Sequence, residues 1–148
     1  MLARLDVELP RHQGQAPTFS TGTMPSFEQA HAEWEKDIDN PDYVTFVAER
    51  HGSVVGSAIS SDVHKSSGHT SLARPDNAGL LGFATVLPHA RGSGAGRALT
   101  AAVLTWAAET GFDSVVVDYR VTNLLSSRAW PALGFTESFL RLHRLIGY

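Results

Sequence analysis

A short segment in the middle of the chain combines three glycines with two arginines: Arg91, Gly92, Gly94, Gly96 and Arg97. An apolar run at residues 79–87 precedes it and predicts a buried strand, and a helical pattern at residues 95–110 follows it. At such a strand-to-helix turn, backbone N–H groups converge with the positive end of the helix dipole. Glycine lets the backbone approach a ligand closely, and guanidinium groups pair well with phosphate oxygens. The segment therefore predicts a cradle for phosphate groups.

Two well-known phosphate loops do not fit this segment. A Walker loop requires Gly-x-x-x-x-Gly-Lys, whereas the residue five positions after Gly92 is Arg97 and no lysine follows. A dinucleotide loop requires Gly-x-Gly-x-x-Gly, and the residue three positions after Gly94 is again Arg97. Nucleotide hydrolysis and hydride transfer are therefore disfavoured. A plain tight turn stays open as an alternative, because a short glycine motif has low specificity by itself.

The order of the residues resembles a known family motif. The segment reads Arg91-x-x-Gly94-x-Gly96 and is preceded by Val86-x-Pro88. This pattern is similar to the pyrophosphate-binding loop of the GNAT superfamily, whose members are acetyl-CoA-dependent N-acetyltransferases. The resemblance implies acetyl-CoA as the co-substrate and requires no metal.

A second element strengthens the resemblance. Downstream lies Asn123-x-x-Ser126-x-x-x-Trp130-x-x-x-Gly134-Phe135, which is similar to the family's helix beside coenzyme A. One predicted helix and one predicted strand separate the two elements, as in the family. Two matches in the right order, on the right elements, make the resemblance much more specific than either match alone.

The resemblance implies a single GNAT domain over residues 1–148. The expected fold is α/β (α+β), with a mixed, mostly antiparallel sheet that is splayed at the acetyl-CoA site and flanked by helices. A chain of 148 residues suits one domain. Residues 43–148 carry the resemblance, whereas residues 1–42 look atypical or shortened. This leaves open that the usual domain start lies before Met1, or that a partner completes the fold.

Hydrophobic periodicity predicts the elements on which the motifs lie. Before the glycine segment we expect a strand at residues 2–9, a loop at 11–24, a helix at 27–37 capped by Ser26, hairpin strands at 43–49 and 53–59, and a loop at 62–77. After it we expect a helix at 95–110 ended by Gly111, a strand at 112–119, a short helix at 123–133, and one or two strands at 135–146.

The resemblance also implies which residues contact the co-substrate. In GNAT proteins the strand before the loop splays away from the next parallel strand, and the pantetheine arm lies in the gap. Backbone groups on that strand would bind the arm, at Ala84, Thr85 and Val86. The pyrophosphate would be held by Arg91, Gly92, Ser93, Gly94, Ala95, Gly96 and Arg97. The opposite wall would be lined by Asn123 and Ser126.

Asp118 is the candidate general base for acetyl transfer to an amine. It lies five residues before Asn123, on the strand expected to border the cleft, where its carboxylate could take the amine's proton directly or through water. An outward-facing strand residue is the equally weighted alternative. The chain contains no cysteine, which agrees with direct attack by the amine on the acetyl group and requires no acyl-enzyme intermediate.

The general acid is harder to assign. Many GNAT proteins carry a tyrosine where this chain has Trp130, and an indole N–H cannot give up its proton at neutral pH. Tyr119, Ser126, Ser127 or water would have to serve the leaving thiolate. Trp130 is alternatively a core aromatic residue, which is the commoner role of such a side chain.

Composition argues against several other classes. The net charge is −3 at pH 7, so no basic surface favours nucleic acid or anionic lipid. No apolar run approaches the ~20 residues of a membrane span, and a cytoplasmic location is expected. His64 and His69 share a loop, but their spacing suits neither a helical pair nor a metal site with nearby carboxylates. We therefore expect no metal, nucleic acid or membrane partner.

The acceptor is expected to be a small-molecule or peptide amine. Its pocket should involve the helix around Trp34, the loop at residues 62–77 and the last strands, and the negative charge weakly favours a cationic amine. A homodimer is possible by analogy with the family. Two other functions stay open: an acyl-CoA sensor of the same fold without turnover, suggested by Trp130, and a structural or dimerisation module whose glycine segment is only a turn.

Overall fold

The sheet is seen in a computed structural model that describes residues 1–15, 25–65 and 75–140, and within these residues it has four strands. They are β1 (Tyr43–Arg50), β2 (Ser53–Asp62), β3 (Ala78–Val86) and β4 (Ser114–Val117). They lie in the order β1-β2-β3-β4, with β1–β2 and β2–β3 antiparallel and β3–β4 parallel. The predicted mixed, mostly antiparallel sheet is therefore confirmed.

The helices of the described residues surround this sheet. They are α1 (Leu2–Asp6), α2 (Glu8–Gln13), α3 (Phe27–Asp37), α4 (Ala95–Thr110) and α5 (Leu124–Ala132), with a 3-10 turn at Pro88–Ala90. The predicted boundaries of α3 and α4 are confirmed. Gly111 ends α4 with a φ of 88°, the left-handed conformation typical of a helix C-terminus. α5 also matches its prediction, with Pro131 near its end.

The predicted hairpin of β1 and β2 is confirmed. Two residues connect the strands, His51 with a φ of 52° and Gly52 with a φ of 73°. Two successive positive φ values belong to a type I′ turn, whose twist matches that of the strands it joins. Arg50 and Ser53 consequently face each other as the first pair of the ladder.

The strand predicted at residues 2–9 is wrong, because this stretch forms α1 and α2. The prediction rested on the alternation of Leu5, Val7 and Leu9, but Leu5 and Leu9 are also four residues apart, which is one helical turn. Tertiary packing selects the helix. Ala3 of α1 is buried in a cluster with residues of α3, and a short alternating pattern does not report such a contact.

The two faces of the sheet carry different helices. On one face, α4 closes a buried cluster formed by Ala58, Leu81, Leu99 and Val103. On the other face, Ile59 packs with a cluster from α1 and α3 that includes Ala30 and Trp34. Ala58 and Ile59 are neighbours on β2, so their side chains point to opposite faces. The core is therefore divided by the sheet, and each face has its own helices.

Several other predictions differ in extent or lie partly outside the described residues. The strand expected at 112–119 is shorter and covers Ser114–Val117. Of the loop expected at 11–24, the first residues belong to α2, and residues 16–24 lie outside the described part, as do residues 66–74 of the second loop. Residues 135–140 form no strand, and residues 141–148 lie outside the description.

Candidate active site

The sheet opens between β3 and β4. The parallel pairing runs from Ala78 opposite Ser114 to Leu81 opposite Val117 and then stops. β3 itself continues to Val86, so residues 82–86 have no partner on the described part of β4. One edge of β3 is therefore free over this stretch, and a gap widens beside it.

Backbone alternation identifies which peptide groups face this gap. The N–H of Leu87 donates to the carbonyl of Val55 on β2 at 2.9 Å. Alternate residues of a strand direct their peptide groups to opposite sides, so Thr85 also faces β2. Ala84 and Val86 consequently direct their N–H and C=O groups to the open side. Of the three strand residues singled out from the sequence, these two present backbone to the gap.

Two glycines shape the turn between β3 and α4. Gly92 has a φ of 77° and Gly94 a φ of 89°, values that side-chain-bearing residues rarely adopt. A Cβ added at either position would meet no described atom within 4 Å. Glycine is therefore required here by backbone conformation and not by crowding. The space above the two residues is open to a ligand.

The N-terminus of α4 has no capping side chain. Its N-cap is Gly94, and none of the described side chains accepts a hydrogen bond at this helix end. The first-turn N–H groups of Ala95, Gly96 and Arg97 are among those that an α-helix leaves without an internal acceptor. Together with the positive end of the dipole, they form a site suited to an anion.

The polar side chains of the turn fall into two groups. The Arg91 Nε donates to the carbonyl of Val86 at 3.2 Å, so this guanidinium lies against the free edge of β3. Arg97 is exposed on the first turn of α4. The Ser93 hydroxyl donates to the carbonyl of Ala90 at 2.6 Å and therefore stabilises the turn itself. The two cationic groups remain available to a ligand.

Asn123 caps α5. Its side chain is only 3% exposed, and its Oδ1 accepts from the backbone N–H of Leu125 at 3.2 Å and of Ser126 at 3.4 Å. The same oxygen accepts from His12 Nε2 of α2 at 3.0 Å. The Oδ1 of Asn123 is therefore engaged within the described structure, so a ligand would have to use the Nδ2 group. Ser126 is half-buried on the first turn of the helix.

Comparison with protein-family models identifies the family to which the chain belongs. The model of the "Acetyltransferase (GNAT) family" matches residues 10–135. The chain belongs to the GNAT acetyltransferase family. It is accordingly an N-acetyltransferase with acetyl-CoA as its co-substrate. No curated protein sequence matches the chain.

Solved structures share the GNAT fold. The aminoglycoside N-acetyltransferase AAC(6')-Iy in complex with CoA is 25% identical, with 80% of this chain and 87% of that chain covered and a TM-score of 0.62. The same enzyme with the bisubstrate analogue CoA-S-monomethyl-acetylneamine is 23% identical, with 90% and 85% covered and a TM-score of 0.63. A tetramutant protein of Bacillus halodurans is 13% identical, with 97% and 91% covered and a TM-score of 0.76.

The geometry fits the GNAT co-substrate. A pantetheine arm carries amide groups, and the outward-facing peptide groups of Ala84 and Val86 can pair with such groups as a neighbouring strand would, once the Arg91 side chain leaves the Val86 carbonyl. A pyrophosphate is an anion, and the uncapped end of α4 lies directly after the glycine turn. The two unsatisfied backbone regions adjoin each other in the chain. One elongated ligand can therefore bind both.

Asp118 lies where the GNAT sheet begins to open. It is exposed and follows Val117, the last residue of β4. Because Val117 pairs with Leu81, Asp118 would be next in register to Gly82, at the start of the gap. The candidate base is thus brought to the mouth of the gap and is not enclosed in the core.

Trp130 is a packing residue in this GNAT chain. Its ring is in edge contact with Phe135, with ring centroids 5.6 Å apart, and it packs against the cluster under α4. Its Nε1 is buried and has no hydrogen-bond partner among the described residues. The other hydroxyl candidates, Tyr119, Ser126 and Ser127, are half-buried. They remain better suited than an indole to protonate a thiolate.

Sequence reasoning missed the role of α2 in building this region. Side chains of Glu8, Arg11, His12 and Gln15 join Pro88 and Arg91 around a cavity of about 210 Å³. Arg11 also donates to Glu8 at 2.7 Å. These residues belong to no recognised motif, and the alternation of residues 2–9 predicts a strand there in place of the helix. The helical spacing of Glu8, Arg11, His12 and Gln15 was the available signal.

His64 contacts the carbonyl of Asp76 at 3.0 Å, His89 is exposed, and His69 lies outside the described residues. Across the described ranges, no group of three or more His, Cys, Asp or Glu residues could hold a metal ion.

Among the described helices, none is long and apolar enough to cross a membrane.

Proposed function

We propose that the chain acetylates a small-molecule amine by direct attack of the amine on the acetyl group, using the open edge of β3 and the open end of α4 as its acetyl-CoA site. The observation that carries this proposal is their adjacency. Ala84 and Val86 present peptide groups that no residue of β4 pairs with, the Val86 carbonyl being bonded only to the Arg91 side chain, and the uncapped turn of α4 begins within ten residues of Val86. In a turn with only a structural role, the backbone N–H and C=O groups of both regions would be expected to have hydrogen-bond partners within the chain.

The cofactor residues take separate parts in this proposal. Peptide groups of Ala84 and Val86 bind and orient the arm that carries the activated acetyl thioester, while Thr85 secures β3 to β2. The turn from Arg91 to Arg97 holds the pyrophosphate through backbone N–H groups and two guanidinium groups. For Arg91 this implies movement away from the Val86 carbonyl. Asn123 and Ser126 form the far wall through the first turn of α5.

Asp118 is proposed as the base. As the acceptor nitrogen bonds to the acetyl carbon and the carbon–sulfur bond breaks, the amine must lose one proton, which the Asp118 carboxylate takes directly or through water. Its position at the start of the gap supports this role. The sulfur then needs a proton from Tyr119, Ser126, Ser127 or water, because the indole N–H of Trp130 cannot be released at neutral pH.

The acceptor is proposed to be a small molecule in preference to a peptide. AAC(6')-Iy, which shares the fold, has been solved with an analogue that joins CoA to acetylneamine, a small amino sugar. This supports a small amine here without identifying it. A single domain over residues 1–148, a homodimer and a cytoplasmic location stay predictions.

The first experiment separates binding from turnover. Acetyl-CoA is titrated into the protein by calorimetry, and acetyl transfer to a panel of primary amines is then followed by thiol release. We expect saturable binding and turnover with at least one amine. Asp118→Asn should keep acetyl-CoA affinity but lower kcat about 100-fold or more. Asp113→Asn, at the other end of β4, is the matched control and should keep full activity.

A second candidate function is an acyl-CoA sensor without turnover. Trp130, whose Nε1 is buried and which lies at a position where many GNAT proteins have a tyrosine, favours it. In that case acetyl-CoA binds, no amine is acetylated, and Asp118→Asn has no effect. Absence of acetyl-CoA binding by the folded protein would reject both functions.

A further inference from the structure

A hydrogen bond joins α2 to the N-terminus of α5, between residues 111 positions apart in the sequence. It connects His12 Nε2 with Asn123 Oδ1 at 3.0 Å. Asn123 is 3% exposed, and His12 is half-buried. Asn123 is also one of the residues proposed above to form the far wall of the acetyl-CoA site. The bond therefore connects α2 directly to that wall.

Backbone groups of α5 determine which end of the Asn123 amide meets His12. The N–H groups of Leu125 and Ser126 donate to one side-chain atom, at 3.2 and 3.4 Å. An amide nitrogen cannot accept a hydrogen bond, so this atom is Oδ1. Because Oδ1 cannot donate, His12 Nε2 must carry a proton. His12 is therefore the donor, in its neutral form as well as in its protonated form.

The bond from His12 is the shortest of the three that Oδ1 accepts. The two backbone bonds lie at or beyond the long end of the usual range of about 2.7–3.2 Å. Both come from the first turn of one helix, whereas His12 approaches from another element. A side chain held only by long bonds keeps rotational freedom that a ligand would have to remove on binding. His12 reduces this freedom before a ligand binds.

α2 connects the two sides of the gap at its far end. β3 and β4 are paired as far as Leu81 and Val117. Beyond that pair, β3 leads to Pro88 and β4 leads to Asn123. α2 reaches both, because it lines a cavity together with Pro88 and donates to Asn123 through His12. A ligand arm in the gap would therefore run between β3 and a wall that α2 holds in place.

A direct contact between His12 and a phosphate group is disfavoured by the charges around it. The cavity that His12 lines also contains the Glu8 carboxylate, which is paired with Arg11 at 2.7 Å. This carboxylate repels an anion that enters the cavity, and it offsets the charge of the nearby guanidinium. The role of His12 consequently lies in its bond to Asn123 and not in its charge.

We propose that His12 is a positioning residue, which fixes the Asn123 side chain so that its Nδ2 group donates to an amide carbonyl of the pantetheine arm. The proposal rests on the acetyl-transfer function proposed above. With Oδ1 engaged by three donors, Nδ2 is the end of the amide that a ligand can use, and a carbonyl is its matching acceptor. In this role His12 contributes to co-substrate affinity through α5 without touching the co-substrate.

The decisive experiment compares two substitutions of His12. His12→Phe keeps an aromatic ring without a donor, whereas His12→Gln keeps an uncharged N–H donor at a similar reach. In calorimetric titrations, acetyl-CoA affinity should fall about tenfold in His12→Phe and by less than about threefold in His12→Gln. Equal losses in both variants would overturn the proposal. His31→Phe, at an exposed position of α3, is the control and should keep full affinity.

A fragment of the co-substrate shows where the loss arises. Adenosine 3′,5′-bisphosphate carries phosphate groups but has no pantetheine arm. Its affinity should be the same for the unmodified protein and for His12→Phe, whereas acetyl-CoA affinity falls. If both ligands lose affinity to the same extent, the substitution disturbs the whole site, and the positioning role is rejected.

A double variant tests whether His12 acts through Asn123. Asn123→Ser removes Nδ2 but keeps an acceptor for the N-terminus of α5, and serine caps helices about as well as asparagine. In this background, His12→Phe should cause less than about a twofold further loss of acetyl-CoA affinity. A loss of about tenfold in both backgrounds would show that His12 acts independently of Asn123.

The pH dependence separates positioning from charge. Histidine side chains commonly titrate between about pH 5 and pH 8, yet the Nε2–H group donates in both protonation states. The charged groups that line the cavity with His12 are Glu8, Arg11 and Arg91. The ratio of acetyl-CoA affinities between the unmodified protein and His12→Phe should be the same at about pH 5 and about pH 8. A ratio that grows at low pH would assign His12 to a phosphate group and overturn the proposal.

Failure of this proposal differs from failure of the function on which it rests. If the folded, unmodified protein binds no acetyl-CoA, both fail. If acetyl-CoA binds and amines are acetylated, but His12→Phe binds acetyl-CoA as tightly as the unmodified protein, the function stands and the positioning role fails.

Discussion

α3 and α4 begin in opposite ways. At the start of α3, the hydroxyl of Ser26 accepts from the Gln29 N–H at 3.2 Å, and the Gln29 side chain accepts from the Ser26 N–H at 2.8 Å. Two otherwise unpaired donors are thereby satisfied within four residues. α4 instead begins at Gly94, where none of the described side chains caps the helix. One helix end is completed by its own sequence and the other is left open.

The difference indicates what each helix end is for. A serine or aspartate cap at Gly94 would stabilise the helix, yet glycine, with its φ of 89°, occupies the position. The open end of α4 also follows the free edge of β3, whereas the capped end of α3 is satisfied by its own residues. The first region is left open for the ligand proposed above, whereas local hydrogen bonds complete the second.

The largest expected effect comes from blocking the open end. Gly94→Glu places a side chain and a negative charge where phosphate oxygens would bind, so acetyl-CoA affinity should fall about 100-fold or more. Calorimetric titration measures the loss. The left-handed conformation itself costs about 1–2 kcal/mol of stability.

Gly111→Glu controls for that conformational cost. Gly111 lies at the other end of α4 with a φ of 88°, and a Cβ at either glycine would meet no described atom within 4 Å. Both variants should therefore unfold more easily, Gly111→Glu somewhat more so because its negative charge lies at the C-terminal end of the helix. If Gly111→Glu weakens acetyl-CoA binding as much as Gly94→Glu does, strain and not the binding site is responsible.

A smaller effect is expected from the arginines of the same turn. Arg91→Ala and Arg97→Ala should each weaken acetyl-CoA binding about tenfold at low salt, because each removes one charge-assisted contact to phosphate. The loss should shrink as salt is raised. Arg50→Ala, in the distant hairpin, is the control. A loss that does not depend on salt would argue against direct phosphate contact.

The capped end provides the reverse test. Ser26→Ala removes the capping box of α3 and should cost about 1 kcal/mol of unfolding free energy, a decrease in Tm of about 3 °C. Acetyl-CoA affinity should be unchanged. Any tenfold loss of affinity in this variant would break the distinction drawn between the two helix ends.

Elements whose signals are local could be predicted from the sequence. Ser26, Gly111 and the turn at His51 and Gly52 fix helix and hairpin boundaries through hydrogen bonds or backbone conformation within a few residues. The N-terminal segment could not be predicted in this way. Alternation and helical spacing coexist there, and packing of Ala3 against α3 decides between them. Distant contacts of this kind leave no periodic trace.

The candidate site likewise has a part that could be predicted from the sequence and a part that could not. The glycine turn was recognisable, because positive φ and an uncapped helix end demand particular residues at fixed spacing. Its surroundings were not. The contact of His12 with Asn123 joins residues 111 positions apart. The pairing register of β2 with β3 determines that the peptide groups of Thr85 face β2 while those of Ala84 and Val86 face the gap. Roles that depend on contacts between residues distant in the sequence could be identified only from the structure.

The smallest expected effect concerns the middle of α3, where the partly buried Asp6 carboxyl of α1 lies beside Trp34. Burial raises the pKa of Asp6 from 3.8 to about 6, so the folded state disfavours the ionised carboxyl. This destabilisation is absent below pH 3.8 and complete above about pH 6. Asp6→Asn should therefore stabilise the protein above pH 6, by less than about 1 kcal/mol because the side chain stays partly solvated. Urea unfolding at pH 4 and pH 8 measures the difference, and equal stabilisation at both pH values would show that ionisation of Asp6 is not its cause.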